Sequence, residues 1–597
     1  MRPTTIPPSV PTPNGDEAAP FLGNFHKTLP HDADGVVEPA AYALLMKAAG
    51  DRRPGPASAS FEDIPRGTVP QGGVAAALSN PQAGRARDSL GVDPFDIELW
   101  PAPKFASDST AAEMTELFWL ALCRDVPLDA LHGGEGAAGR MADDAVAELA
   151  AAFARALDSD RAGQDMDAGL HLRPGLGLGL DLPCDADGRL ALDRSTLFRG
   201  GLPDERQGPL VSQFLLQDVP FGSHTLRQLQ RPYAPRRDYL QCIEDWLRAQ
   251  DLGRDRHGRD ATEANAFDDD PSAHEATPRR IGTMRDLARL VHRGTPQQPC
   301  INAALLLLDW KAPADPGNPY RRRLARQAPG ATLGAPDLLA LLGEVAQRAQ
   351  KVVWRQKWMV HRRLRPEAHA GLMTMQAVRG RGFGLPEWAM ATQAATAVRA
   401  LNREANHGTR HAREDNLLLP MAYSAGAPAH PSYGAGNAVV AGACVTVLKA
   451  WFEEGQPIRP MIEAAHHPDT RQRLHVARAH RTEGTAEPYA GADLDAMTVG
   501  GELNKLASNI AFGRSAAGVQ WRSDATRSLR LGEIVATVIL ARATRSYAEA
   551  NVMLGYRSFD GRAVTITPDG IFVPGDPALE GYYRDLLQEP LPVRHCA

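Results

Sequence analysis

Three short stretches hold residues that together could bind and polarise an anion. The first is 354-WRQKWMVHRRLRPE-367, where Lys357 and Arg365 carry long cationic side chains. On an α-helix, residues eight positions apart project about 80° apart and lie about 12 Å apart along the axis, so two such arms can converge on one anion. Pro366 disfavours helical geometry at Arg365, so the helix is expected to end there. The second stretch is 430-HPSYGAGN-437, which leads directly into the apolar segment AVVAGACVTVLKAWF. It puts Gly434, Ala435 and Gly436 where backbone amides at a helix start cradle an anion. The third is 511-AFGRSAAGVQWRSDATR-527, which holds Arg514, Gln520 and Asp524. Taken singly, each has a plainer reading: a solvated Arg-rich helix end, a flexible turn with close packing, an ordinary Gly-flanked loop.

The elements that must position these residues are helical. Apolar residues recur at three- and four-residue spacing in PAAYALLMKAAG, AAEMTELFWLALCRD, DDAVAELAAAFARALDSD, RRDYLQCIEDWLRAQ and MRDLARLVHRG. PDLLALLGEVAQRAQKVVWRQKWMVHRRL and LGEIVATVILARATRSYAEANVMLG continue the pattern. Strand alternation is scarce; SFDGRAVTITPDGIFV, with its Asp-Gly steps and β-branched residues, predicts a small β-hairpin near the C-terminus. The fold class is therefore mainly α. GLHLRPGLGLGLDLPCDADGRL reads as irregular, and GRDRHGRDATEANAFDDDPSAHEATPRR as an exposed charged insertion. The expected organisation is a flexible Pro-rich arm over 1–20, an N-terminal helical half over 21–330, and a C-terminal helical bundle over 331–597 that carries the anion pocket.

Composition narrows the function classes. The 597 residues are 43% hydrophobic and 23% charged, with a formal net charge of −5. That balance gives no electrostatic footprint for nucleic acid, so an anion site must be a local cluster. The longest apolar runs, such as INAALLLLDW, are too short to insert across a membrane. Six scattered cysteines without a CxxC pair, and an N-terminus without an apolar signal core, suggest a reduced cytoplasmic protein.

In order and spacing the three stretches resemble the vanadium-dependent haloperoxidases of algal and bacterial bromoperoxidase type. More distantly they resemble the type-2 phosphatidic acid phosphatases that share their site. Lys357 and Arg365-Pro366 match the first element of the family signature. HPSYGAGN stands where the family reads HPSYPSGH. GRSAAGVQWRSD stands where it reads Gly-Arg, five residues, His, then Tyr-Arg-Ser-Asp. FLGNFHKTLPHD, GPLVSQFLLQDVPFG, RDLARLVHRGTPQQPCINAALLLL and GGELNKLASNIAFGR also look like family blocks, so the resemblance covers most of the chain. It implies two helical bundles, a vanadate cofactor, halide peroxidase activity, and a homodimer or larger homo-oligomer. It also implies an oxyanion cage of Lys357, Arg365, Gly436 and Arg514.

At the family's catalytic positions the chain departs from the pattern. Gln520 replaces the vanadate-ligating histidine, Asn437 the acid/base histidine, and Ala435 the serine. A carboxamide nitrogen has no lone pair to give a metal, and Asn does not titrate near neutral pH. His430, matching a family histidine that lines the site, and His361, four residues after Lys357, are the remaining imidazoles that could move a proton. Three readings follow. One is a vanadium-independent enzyme acting on an anionic or enolisable organic substrate. A second is a pseudoenzyme that holds phosphate or another tetrahedral anion. The third is a bromoperoxidase with atypical vanadate ligation.

Overall fold

The computed structural model describes residues 14–50, 59–70, 72–89, 91–161, 182–183, 190–260, 271–292, 294–322, 324, 326–480 and 485–587. Most of the Pro-rich arm, most of the Gly-rich segment, part of the charged insertion, Cys184 and Cys596 lie outside them. Helices dominate, joined by two- and three-stranded antiparallel sheets.

At the centre is the helix Gly436–Trp451, buried continuously from Ala438 onward. Its sequence, GNAVVAGACVTVLKAW, is apolar on every face, as a helix surrounded by protein requires. It packs against Ala335–Arg355, Val499–Ala516 and Arg522–Ser546. The closest crossing is made by two glycines. A Cβ on Gly442 would sit 2.1 Å from the Leu529 carbonyl oxygen, and one on Gly532 would sit 2.1 Å from the Val439 carbonyl oxygen. A second group of helices forms around Asp108–Cys123, which packs on Gly136–Arg161 and Gln393–Ala405 and touches Val499–Ala516. The mainly helical architecture is the one expected from the sequence; the second group draws Gln393–Ala405 from the C-terminal part of the chain. The expected hairpin is present as a three-stranded sheet, Leu554–Arg557, Ala563–Thr567 and Gly570–Phe572.

Some element boundaries differ from the periodic pattern. In RRDYLQCIEDWLRAQ only Ile243–Leu252 is helical, because Arg236 and Leu240 adopt left-handed backbone and Tyr239 pairs with Met421 as an isolated bridge. The helix through LGEIVATVILARATRS stops at Ser546, where the extended backbone of Tyr547 leads toward the sheet. The segment that joins Lys357 to Arg365 differs most. The α-helix Ala335–Arg355 gives way to a π-turn over Gln356–His361, Arg362 is left-handed (φ 47°), and Arg365 is extended (φ −76°, ψ 150°). Pro366 therefore opens a new helix, Pro366–Arg379, rather than ending the previous one at Arg365. A smaller core of Phe25, Leu29, Tyr42 and Phe61 grips Trp358 and holds the π-turn from beneath.

Candidate functional site

Four chain segments meet where the anion site was expected: the π-turn after Ala335–Arg355, the start of Gly436–Trp451, the end of Val499–Ala516, and the start of Arg522–Ser546. Because Lys357 lies in the π-turn, its side chain reaches under the 430–437 turn. Nζ donates to the carbonyls of Pro431 (2.8 Å) and Ser432 (2.9 Å). Arg365, 1% exposed, donates from Nε to the His430 carbonyl (2.9 Å) and from Nη1 to the Val519 carbonyl (2.7 Å). Nη1 also donates to Gln520 Oε1, and Nη2 contacts His430 Nδ1 at 2.8 Å. Lys357, Arg365, His430 and Gln520 thus form one connected network around Pro431 and Ser432.

Donor and acceptor logic settles the orientation of both uncharged partners. A guanidinium only donates, so His430 Nδ1 is the lone-pair nitrogen and the proton is on Nε2. The 3.1 Å approach of Nδ1 to the Pro431 carbonyl is accordingly not a hydrogen bond. Gln520 turns Oε1 to Arg365, while Nε2 donates to the Ser432 carbonyl (3.0 Å) and Asp524 Oδ2 (3.2 Å). Asp524 is itself held by Ser432 Oγ, by the Trp521 amide (3.1 Å) and by Arg363 (2.9 Å). Arg363 also pairs with Glu113 at 2.8 Å.

The electrostatics follow from burial. Desolvation, then the charges of Arg365 and Arg514, hold Lys357 well below the usual lysine value, with Asp524 opposing. Arg365 is pushed down to about 9, by burial first and Arg514 second. His430 falls well below its ordinary value through burial, Lys357 and Arg365 in that order, and is neutral. Arg514 is half-buried, places its guanidinium 5.6 Å from the centre of the Tyr423 ring, and reaches the Val291 carbonyl at 3.4 Å. Among the described residues none of the three cations forms an ion pair; Asp524, which acts on both Lys357 and Arg365, is committed to Arg363, and Glu367, which also acts on Arg365, to Lys27.

Gly436 is the first residue of its helix, and Ala435 at the N-cap offers no side-chain cap, so the first amides of the helix are not capped by their own chain. A Cβ on Gly436 would meet the Trp354 ring at 3.3 Å. Asn437 lines a cavity of about 340 Å³ whose walls include Leu215, Leu229, Ile510 and Val291, with Arg227, Arg289, Gln228 and Asn302 among its polar groups. Lys357, Arg365, Gln520 and His430 do not line this cavity; it meets the site at Asn437 and at Val291, the acceptor of Arg514. His361 lies elsewhere, edge-on to Tyr433 at 4.9 Å and under the influence of Arg362 and Arg527.

Sequence reasoning overlooked several positioning residues. Ser432 lay inside the quoted HPS motif, and Arg363 inside the basic run beside Arg365. Lys27 and Glu367, a buried pair that holds the loop before His430, had no local signal because 340 positions separate them. Among the described residues no group of three or more His, Cys, Asp or Glu could hold a metal ion.

No family model matches the chain. It is 31% identical to a vanadium-dependent bromoperoxidase of Corallina pilulifera over 609 residues, covering 93% of this chain and 92% of that protein. It is 30% identical to a vanadium-dependent bromoperoxidase of Ascophyllum nodosum over 565 residues, covering 92% and 88%. The solved homohexameric structure of the second vanadate-dependent bromoperoxidase from Ascophyllum nodosum superposes with a TM-score of 0.77 at 27% identity, covering 94% of this chain and 88% of that one. Identity of this degree, sustained over nearly the whole length with the same helical architecture, establishes that the chain belongs to the vanadium-dependent bromoperoxidase family.

Proposed function

We propose that this protein binds an oxyanion among Lys357, Arg365, Arg514 and the Gly436 amide, and uses that cage on an anionic or enolisable organic substrate without vanadium. The observation that carries the reading is the hydrogen bonding of Gln520. Its Oε1 accepts from Arg365 and its Nε2 donates to Ser432 and Asp524, so the side chain at the family's ligand position has no nitrogen lone pair to offer a metal and its carboxamide oxygen is already engaged. The residues present fit a tetrahedral oxyanion held by charge and hydrogen bonds, and do not fit a vanadium–nitrogen bond at position 520.

The same geometry supports a non-oxidative proton transfer. In neutral form Lys357 spends its two N–H bonds on Pro431 and Ser432 and keeps its lone pair. Burial and neighbouring cations favour that neutral form. Lys357 would accept a proton from carbon beside a carbonyl while Arg365 and Arg514 stabilise the oxyanion that develops. The cavity beside Asn437 is of organic-substrate size, and Arg289 stands on its wall. A second reading, an anion-binding protein without turnover, is favoured by the loss of titrating groups: Asn437 does not titrate, and the His430 lone pair is occupied by Arg365. A homo-oligomer is part of the proposal, since the structural neighbour is described as homohexameric. So is a reducing, cytoplasmic setting, which the buried free thiols Cys123, Cys242, Cys300 and Cys444 support.

The test is titration calorimetry with vanadate, with phosphate as competitor, on the protein and on Gln520→His. Weak, phosphate-competed binding that tightens in Gln520→His is the expected result. Tight vanadate binding by the unaltered protein, with bromide oxidation on adding peroxide, would overturn the proposal. Lys357→Met separates the two readings: deuterium exchange from enolisable ketoacids that disappears in this variant identifies an enzyme, and no exchange in either protein identifies a binding protein.

A further inference from the structure

A second cavity, of about 350 Å³, lies away from the oxyanion cage, between the helix Leu128–Gly133, the 206–211 segment, Ile281–Gly282 and the β-strand Ala477–Ala479. Its walls are largely apolar, with Leu128, Leu210, Leu216 and Ile281 facing it. It touches the first cavity only through Ile281, which lines both, and none of Lys357, Arg365, Arg514 or Gln520 reaches it.

Its polar groups divide into spent and unspent. Asp493 accepts from Tyr489 Oη (2.6 Å) and the Gly208 amide (2.5 Å), which fixes both carboxylate oxygens. Arg478 is paired with Glu487 at 2.7 Å. Arg199, 7% exposed, donates to the carbonyls of Glu205 (3.0 Å) and Gly208 (3.3 Å), yet its Nε–H has no partner. Arg206 is exposed at the rim and forms no ion pair among the described residues. His132 on the wall is neutral, pushed down to about 3 by burial first and by Arg199 second, so it adds no charge. What remains is a largely apolar chamber with Arg206 at its mouth, unpaired among the described residues, and with Asp129, itself partnered, also on the wall.

We propose that this cavity is a second binding site, for a small organic anion with an apolar body of about one or two aromatic rings and a carboxylate or sulfonate head. The apolar body fills the space between Leu128, Leu216 and Ile281, and the head pairs with the charge of Arg206 at the rim. The glycine at 282 keeps the space open: a Cβ there would meet Ala479 Cβ at 3.7 Å and an Arg279 nitrogen at 3.9 Å, ordinary contacts, so a larger side chain would enter the chamber without backbone strain.

Calorimetric titration of the full chain with naphthalene-2-sulfonate tests this, with Gly282→Phe filling this cavity and Asn437→Phe filling the other. The expected result is binding that survives Asn437→Phe, weakens about tenfold or more in Gly282→Phe, and weakens severalfold in Arg206→Gln. Unchanged binding in Gly282→Phe, or loss confined to Asn437→Phe, would overturn the proposal. Where Gly282→Phe does not fold, Arg206→Gln and the uncharged 2-methylnaphthalene decide. Weaker binding in both measurements supports an anion site, and affinity equal to that of the sulfonate on the unaltered protein overturns it.

Discussion

Lys27 Nζ lies 2.5 Å from Glu367 Oε1 in an ion pair whose side chains are 2% and 1% exposed. The same ammonium donates to the carbonyls of Ala425 (2.8 Å) and Ala427 (2.7 Å), and Glu367 Oε2 accepts the Ala427 amide (2.6 Å). Glu367 follows Arg365 by two residues, and the 425–427 loop precedes His430, to which Arg365 is bonded. The pair therefore closes a ring: Arg365, Glu367, the loop, His430, and back to Arg365. Gly426 completes it, since its left-handed φ of 68° and a Cβ position 1.9 Å from Glu367 Oε2 exclude any larger residue. Lys27→Met leaves a buried carboxylate without its partner and should cost about 3–5 kcal/mol. Lys27→Met with Glu367→Gln should recover part of that loss, because no uncompensated charge remains. Urea denaturation of both variants gives the comparison; equal losses would show that the ion pair is not what holds the loop.

Anion affinity should fall as pH rises, and earlier than lysine or arginine ordinarily would dictate. Lys357 is held well below its usual value by burial, Arg365 and Arg514, and Arg365 is pushed down to about 9. A bound dianion favours both protonated forms, so binding takes up protons, and raising pH through the depressed values weakens it. Sulfate is the right probe because it does not titrate in this range. Its dissociation constant should rise steadily between pH 7 and pH 9.5, and the slope should flatten in Lys357→Met. A constant affinity across that range would contradict the buried-cation description.

Arg514→Ala separates binding from folding. The side chain is half-buried, donates to the Val291 carbonyl at a long 3.4 Å and bonds the buried Tyr423 side chain, and it pairs with no carboxylate among the described residues, so its removal leaves no buried charge behind. Sulfate affinity should fall about ten- to a hundredfold, corresponding to the loss of one charge-assisted interaction, while the melting temperature stays within a few degrees. A large stability loss with unchanged affinity would assign Arg514 to packing on Tyr423 instead.

Three contiguous motifs, matched to the family signature, put forward Lys357, Arg365, Gly436, Arg514 and Gln520, and the structure joins Lys357, Arg365 and Gln520 in one network around Pro431 and Ser432. The geometry that joins them was not legible in the sequence. An α-helical reading of 357–365 gives a projection angle that the π-turn and the left-handed Arg362 replace, and no periodic pattern distinguishes five-residue from four-residue bonding. His361 shows the consequence. Spacing from Lys357 suggested a neighbouring face, whereas the π-turn places it against Tyr433 and Arg527, apart from the cage. Helices with one polar face were easily found; the extended stretch 236–242 was missed because Tyr239, Leu240 and Cys242 continue an apolar spacing that the backbone at Arg236 and Leu240 interrupts. Lys27 and Glu367 were invisible for a different reason: an ion pair between distant segments leaves no trace in either.

Gly442 and Gly532 make the tightest prediction about packing. Each lacks a Cβ where the facing helix presents a backbone carbonyl oxygen 2.1 Å from the position that a Cβ would take. Neither backbone can yield without displacing the central helix, which carries Gly436 and Asn437 at its start. Gly442→Ala or Gly532→Ala should therefore destabilise by about 1–3 kcal/mol or more, despite the better helix propensity of alanine. The loss should be accompanied by weaker sulfate binding, since the shifted helix displaces its first, uncapped amides. Thermal melts and sulfate titrations of the same samples show whether the two effects occur together.

Buried neutral histidines make the protein acid-labile well above the range where carboxylates titrate. His361 is pushed down to about 3, by burial first and then by Arg362 and Arg527, and His369 to about 4, by burial, with the Phe105 carbonyl opposing. Both lie below the ordinary histidine value of about 6.5, so the unfolded chain binds these protons first. Stability from each is complete above about pH 6.5 and declines as pH falls toward the folded value, by about 1.4 kcal/mol per pH unit per group. His361 makes no hydrogen bond through either ring nitrogen; the Leu99 carbonyl acts on it from outside bonding geometry. His361→Phe should therefore remove its share of the pH dependence while keeping the contact with Tyr433. Urea unfolding between pH 7 and pH 4 should show a steep fall for the unaltered protein and a slope shallower by about one proton for the variant. Parallel slopes would mean that His361 takes up its proton in the folded state, and the chamber around Tyr433 and Arg527 would then have to admit water.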